Sequence, residues 1–150
     1  GFLVPYAYSY AGRPDRTSFW VRKYLREAFD MTYPGDEDSG AMSSWYVFGV
    51  LGIFPNAGSD VYLLHGTMLE SATLRLAGNR KLTIVGRNVS PENAFVQSVA
   101  WNGKPWPRCW IRHGDLVKGG TLEFVMGPKP SEWAKNASPP PSASDGAGTL

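Results

Sequence analysis

The sequence predicts an α+β protein, with helices in its N-terminal third and an antiparallel β-sandwich region after them. Three observations predict this. Apolar residues recur at helical spacing before residue 56, and short β-rich runs separated by glycine turns fill residues 60–126. Hydrophobic residues make up 43% of the 150, and charged residues only 19%, so the chain can build a core. Its length suits one ordinary domain or two small incomplete ones.

The opening segment Leu3 to Ala11 is ambiguous. Tyr6, Tyr8 and Tyr10 alternate like a strand, whereas Pro5, Ala7 and Ala11 suit a short helix. From Pro14 the pattern is helical, with Val21, Tyr24, Leu25, Ala28 and Phe29 on one face and Arg22, Lys23, Arg26 and Glu27 facing away. Pro14 followed by Asp15 suits a helix start, and Pro34-Gly35 reads as a turn. A second helix is expected from about Ser39 to Leu51. It is apolar nearly all round, which predicts burial among other helices, with Gly52 as C-cap and Pro55 closing the exit.

The expected strands are Val61–Leu64, Thr73–Leu76, Lys81–Val85, Phe95–Trp101, Cys109–Arg112 and Thr121–Val125. Asn102-Gly103 is the strongest hairpin signal, because both residues tolerate the positive φ of a type I′ turn. Beyond Trp133 the Pro/Ser/Ala-rich stretch 134–150 lacks an apolar face and reads as a disordered tail. The regions divide as 1–56 helical, 57–133 β-sandwich and 134–150 tail. Two helices with so apolar a partner do not bury themselves, so the chain is expected to be a fragment of something larger.

Composition excludes several classes. The net charge is +2 and is spread along the chain, with no basic stripe for nucleic acid and no run for an anionic membrane. The longest apolar stretch, Trp45 to Phe54, is too short to span a bilayer. Cys109 is the only cysteine, which rules out an intrachain disulfide and predicts a small buried hydrophobe. His65 and His113 read as turn residues rather than ligands. Trp106 and Trp110 suit either the sandwich core or a sugar-stacking surface, with core packing expected. Asn88-Val89-Ser90 and Asn136-Ala137-Ser138 are formal glycosylation sequons and hint at a secretory route.

The most unusual feature is Pro34-Gly35-Asp36-Glu37-Asp38-Ser39-Gly40, three consecutive carboxylates just before the apolar helix. Capping by Asp38 or Ser39 accounts for one of them. Three adjacent like charges repel unless a cation, a donor network or solvent compensates, and the functional alternative is a carboxylate at a helix start that activates water or binds a hard cation.

Three stretches together resemble glycoside hydrolase family 92, the calcium-dependent exo-α-mannosidases. Val4-Pro5-Tyr6-Ala7-Tyr8-Ser9-Tyr10-Ala11-Gly12 is similar to the family's I-P-Y-L-Y-N-Y-A-G segment. Gly35-Asp36-Glu37-Asp38-Ser39-Gly40-Ala41-Met42-Ser43 through Phe48, with Leu51-Gly52-Ile53-Phe54-Pro55, resembles its G-D-E-D-x-G-x-M-S-x-W-Y-V-F…L-G-x-x-P signature. Asn88 to Asn93, Asn102 to Pro105 and Met126 to Pro130 resemble its C-terminal β-region. The family often carries histidines just before the first segment, where this chain has Phe2-Leu3.

The resemblance implies the last helices of an (α/α)6 barrel followed by β-sandwich elements. It implies the C-terminal part of an inverting exo-α-mannosidase, of α-1,2 type, that releases terminal mannose from glycans and is secreted or extracytoplasmic. Asp38 would be the general base and Asp36 its supporting carboxylate, while Glu37 is expected to point elsewhere. The cofactor would be Ca2+, with its ligands and the catalytic acid upstream of this chain. The partners would be a mannose-containing glycan and the enzyme's own N-terminal and barrel domains, and the fragment alone would be inactive. Two alternatives stay open: a non-enzymatic carbohydrate-binding or scaffold β-module, and another (α/α)6-barrel glycosidase or phosphorylase.

Overall fold

The structure is a computed structural model that describes residues 2–29, 35–142 and 145. A 3-10 turn over Val4–Tyr6 leads into α1 (Ala7–Tyr10), then α2 (Pro14–Glu27) and α3 (Ala41–Leu51). The ambiguous opening segment is therefore helical. β1 (Ile53–Pro55), β2 (Val61–Leu64) and β7 (Trp110–Arg112) form a small sheet in the order β1-β2-β7. β3 (Ser71–Arg75), β4 (Lys81–Arg87), β5 (Phe95–Trp101), β6 (Lys104–Pro105) and β8 (Gly120–Gly127) form a larger one in the order β3-β4-β8-β5-β6. A short α4 (His113–Leu116) follows β7.

The small sheet is buried on both faces, and the alternation of its side chains separates two cores. Phe54, Val61, Leu63 and Trp110 turn towards the helices and pack with Tyr6, Val21, Leu25 and Trp45. Ile53, Leu64 and Ile111 turn the other way, against Ile84, Leu122 and Phe124 of the larger sheet. The result is three layers, with the helices outermost on one side.

Every strand expected from sequence is present, Val61–Leu64 and Phe95–Trp101 with the expected bounds and the others with shifted ends, while β1, β6 and α4 were not foreseen. Pro55 closes β1 rather than breaking the chain after α3, because a proline at a strand end gives up no ladder bond that the pairing needs. Pairing is antiparallel throughout except between β4 and β8, which run parallel. The all-antiparallel expectation fails there because the chain leaves the larger sheet after β6. It returns to β8 through β7 and α4, a crossover rather than a hairpin. The Asn102-Gly103 hairpin forms as predicted, with φ of +50° and +77°.

Several details of α2 and α3 depart from periodicity. Arg22, expected to face solvent, is only 5% exposed. Its Nη1 donates to the Thr67 carbonyl at 3.2 Å and its Nη2 to that of Ser90 at 3.4 Å. The helix is covered on a second side by loops of the β-region, which a helical wheel does not see. Conversely, Tyr24 is 44% exposed. Tyr46 and Val47 of α3 are exposed too, so α3 is not covered all round by the described residues. Gly52 ends α3 with φ +85°, and a Cβ there would meet the Thr67 nitrogen at 2.4 Å, so the chain needs glycine at this corner.

Cys109 is buried as expected, and burial pushes its thiol up to about 11. The stretch 134–142 differs from the disordered tail that composition suggests. Ala134 packs on the helix-side core, and the Trp110 indole N–H donates to the Ser138 carbonyl at 3.1 Å. Trp133 in turn donates to the Trp106 carbonyl at 2.9 Å. Tryptophan N–H groups that must find acceptors hold a segment that has no apolar face of its own. The rest of that tail, 143–144 and 146–150, lies outside the described residues, as does Pro34 of the predicted turn.

His65 is not a turn residue. It is buried edge-on to Tyr6, with ring centroids 5.4 Å apart. Burial, with the charge of Arg22 second, lowers its pKa from 6.5 to about 3. The unfolded imidazole takes its proton at a higher pH than the folded one, so this group favours the folded state fully above 6.5 and progressively less below it. The loss should reach up to about 1.4 kcal/mol per pH unit across that window. Urea midpoints followed down the window should fall more steeply for the native sequence than for His65→Phe; equal slopes would remove His65 as the cause.

Candidate functional site

The acidic loop joins α2 to α3. After Gly35 the backbone turns left-handed at three successive residues, with φ of +51° at Asp38, +58° at Ser39 and +96° at Gly40. Side chains disfavour that region, so it occurs where surrounding bonds enforce it. Here the Met42 N–H donates to the Glu37 carbonyl at 3.2 Å and the Ala41 N–H to that of Asp38 at 3.3 Å.

The carboxylates separate into two kinds. Glu37 folds over the loop and accepts hydrogen bonds from the Ser43 backbone N–H at 3.2 Å and from the Ser43 hydroxyl. It thereby supplies an acceptor to the first turn of α3, the capping role expected of Asp38 or Ser39. The structural N-cap is Gly40, which has no side chain to offer, so the acceptor comes from further back. Glu37 does point elsewhere, as expected. Asp36 and Asp38 are exposed, and neither carboxylate is ion-paired or hydrogen-bonded among the described residues.

Both aspartates line a cleft of about 580 Å³. Its wall is aromatic: Phe29 stacks on Trp45 with centroids 5.6 Å apart and planes 8° from parallel. The Trp45 indole N–H donates to the Phe2 carbonyl at 3.1 Å, which ties the N-terminal segment to the same wall. Phe2 itself lines the cleft. Two carboxylates beside stacked rings form a surface that can hold a polar ring molecule and accept a proton from it or from water.

Among the described residues no group of three or more His, Cys, Asp and Glu is placed to hold a metal ion. Asp36 and Asp38 offer hard oxygens, yet two residues fall short of the six to eight oxygens that calcium takes.

The other sequence candidates lie apart from this cleft. Trp106 and Trp110 do not offer free faces to a sugar: the Arg108 guanidinium lies 4.4 Å from one ring centroid and 4.5 Å from the other. Trp110 is buried, so the packing alternative holds. His113 opens α4, with its Nδ1 3.2 Å from the Tyr62 hydroxyl. The sequence reading missed the Glu37–Ser43 bonds, because an acceptor six residues ahead of its donor matches no capping pattern read from sequence.

The helical layer on two sheets superposes on glycoside hydrolases, and the sequence matches the same class. The chain matches the glycosyl hydrolase family 92 catalytic domain over residues 1–128 and belongs to that family. It is 37% identical over 148 residues to a protein of Arthroderma benhamiae described as an uncharacterized secreted glycosidase. That match covers 93% of this chain and 19% of the relative. A family GH92 α-mannosidase of Bacteroides thetaiotaomicron superposes with a TM-score of 0.89 at 29% identity, over 95% of this chain and 20% of that one. An inverting mannosidase of the same family and bacterium gives 0.85 at 27% identity, over 93% and 20%. The chain thus spans about a fifth of the length of these relatives.

Trp45 joins the cleft wall to the core, being 7% exposed and in edge contact with Tyr6. Trp45→Ala should cost about 3–5 kcal/mol of stability, as large aromatic truncations in cores do. Chemical denaturation checks this, and a loss below about 1 kcal/mol would mean the ring is not a core element.

Proposed function

We propose that this chain is the C-terminal part of an inverting exo-α-mannosidase, of α-1,2 type, that hydrolyses terminal mannose from glycans. The observation that carries it is the division within the acidic loop: Glu37 is committed to α3, while Asp36 and Asp38 are left free on the aromatic cleft. The mannosidase and glycosidase descriptions of the relatives support the same reading, and one solved relative is a complex with mannoimidazole. Residues 1–56 are read as the last helices of an (α/α)6 barrel. The outer face of the helical layer supports this, since Val4 is 67% and Val47 53% exposed among the described residues. The rest of the barrel and the N-terminal domain are the partners that would cover it. Residues 57–133 are the β-region behind it. The secreted description of the fungal relative supports a secreted or extracytoplasmic location.

In an inverting reaction two carboxyl groups stand on opposite faces of the sugar, about 6.5–9.5 Å apart, with water on one side. Asp38 takes a proton from that water as its oxygen attacks the anomeric carbon. The C–O bond to the leaving group breaks, and the departing oxygen receives a proton from an acid outside this chain. Asp36 holds the water in line and keeps Asp38 oriented. The stacked Phe29 and Trp45 rings exclude bulk water from that side of the sugar.

Asp38→Asn in the full-length enzyme is expected to lower kcat by at least about 10³-fold with the fold intact. Turnover on a mannoside substrate together with circular dichroism checks it; near-native kcat would sink the assignment. Calcium is the expected cofactor of the whole enzyme and would supply Lewis-acid polarisation of sugar hydroxyls when bound. Its oxygen ligands would come mainly from outside this chain. Chelation should abolish turnover and added Ca2+ restore it, whereas activity that survives exhaustive chelation would remove the metal from the proposal.

A further inference from the structure

We propose that Glu37 is a positioning residue, whose carboxylate clasps the start of α3 and so fixes the backbone that presents Asp36 and Asp38 to the cleft. The inference rests on the reading of Asp38 as base, and gives the remaining carboxylate of the loop a task of its own.

Three observations converge on it. First, Asp38, Ser39 and Gly40 hold successive positive φ values, a run that side chains resist and that relaxes unless something holds both ends. Second, Glu37 precedes that run and Ser43 follows it, and the two are joined by hydrogen bonds from the Ser43 N–H and hydroxyl to one Glu37 oxygen, Oε1. The Ser43 hydroxyl also lies 3.3 Å from the Gly40 carbonyl, inside the same loop. Third, the other Glu37 oxygen, Oε2, is shut off from solvent with no partner among the described residues, so the carboxylate is held in place rather than swinging in water.

Turning the middle carboxylate towards the helix leaves its two neighbours on the cleft side. A charge-assisted bond is the strong kind of clasp, and the ionised form of Glu37 accepts from both donors at once. Glu37 is not among the described residues that line the cleft. It acts through the orientation of Asp36 and Asp38, where a displacement of about 1 Å is enough to slow an oriented reaction on the order of 100-fold.

Ordinary helix capping would account for the same bonds, and the test separates the two roles. In the full-length enzyme, Glu37→Ala should lower kcat on the order of 10–100-fold while KM changes little. Glu37→Gln should retain most of kcat, because its amide oxygen still accepts from Ser43. The deciding protein is the double variant Glu37→Ala with Ser43→Asp. It restores a carboxylate to the first turn of α3 without tying the loop across its left-handed run. Its thermal midpoint should return towards that of the native enzyme while kcat stays low.

Recovery of kcat along with the midpoint would reduce Glu37 to a cap and overturn the proposal, as would native kcat in Glu37→Ala. If Glu37→Ala does not fold, Ser43→Ala removes only the hydroxyl donor and should give an intermediate fall in kcat; an unchanged kcat there overturns the proposal equally. Asp38→Asn measured alongside keeps the two readings apart. Full turnover in that variant refutes the base assignment, whereas its inactivity beside a fully active Glu37→Ala refutes only the clasp.

Discussion

The small sheet is apolar on both faces, and it has to sit between two other layers. β2 shows the constraint most clearly. Val61 and Leu63 leave one face and Leu64 the other, and all three are essentially inaccessible to solvent. A strand of this kind cannot stand at a surface, since burying one face alone would leave several side chains in water, each costing about 1.5–3 kcal/mol. The helices close over one side and the five-stranded sheet over the other. The turn at Gly52, the burial of Cys109 and the docking of residues 134–138 all follow from filling those two interfaces.

The same constraint places the site. α3 runs directly into β1 through Gly52, so the C-terminal end of α3 is fixed to the central layer. Its N-terminal end, with the acidic loop, is carried away from the sheets to the outer side of the helical layer. Polar chemistry there disturbs no core. The cleft borrows its aromatic wall from the core nonetheless, because Trp45 faces Tyr6 on one side and Phe29 on the other. The wall thus takes its rigidity from α3 itself, while the exposed carboxylates sit on the loop just before it.

A second junction ties α2 to the β-region through Arg22, His65 and Tyr6. The guanidinium satisfies two carbonyls of separate loops, yet its Nε, the His65 Nε2 and the Tyr6 hydroxyl lack partners among the described residues. Desolvation pulls Arg22 down to about 10, with nearby Arg26 adding to the effect. Polar groups enclosed at a layer boundary cost stability unless satisfied, which makes this junction sensitive to acid.

Much of the fold was legible in the sequence because local rules carry it. Period-2 runs gave the strands, Asn102-Gly103 gave its hairpin, Gly52 gave the end of α3, and the acidic loop stood out by charge crowding alone. Family membership rested on the long motif from Gly35 to Pro55. What escaped the sequence was whatever a residue owes to a neighbour distant in the chain. Arg22 reads as a solvent-facing residue until Thr67 and Ser90 are brought beside it, and His65 reads as a turn residue until Tyr6 packs against its ring. The parallel pairing of β4 with β8 is likewise invisible locally, since a strand's own pattern does not record its partner.

The acidic loop shows both limits in one place. Sequence alone determined that three carboxylates crowd the start of an apolar helix, and the family motif around them set Glu37 apart from Asp36 and Asp38. Only the tertiary structure decided what holds Glu37 aside. The left-handed turn at Asp38, Ser39 and Gly40 brings Ser43 back to Glu37, and that contact leaves Asp36 and Asp38 to the cleft. Backbone conformation at those residues is set by closure of the loop onto the first turn of α3, and residue type alone does not encode it.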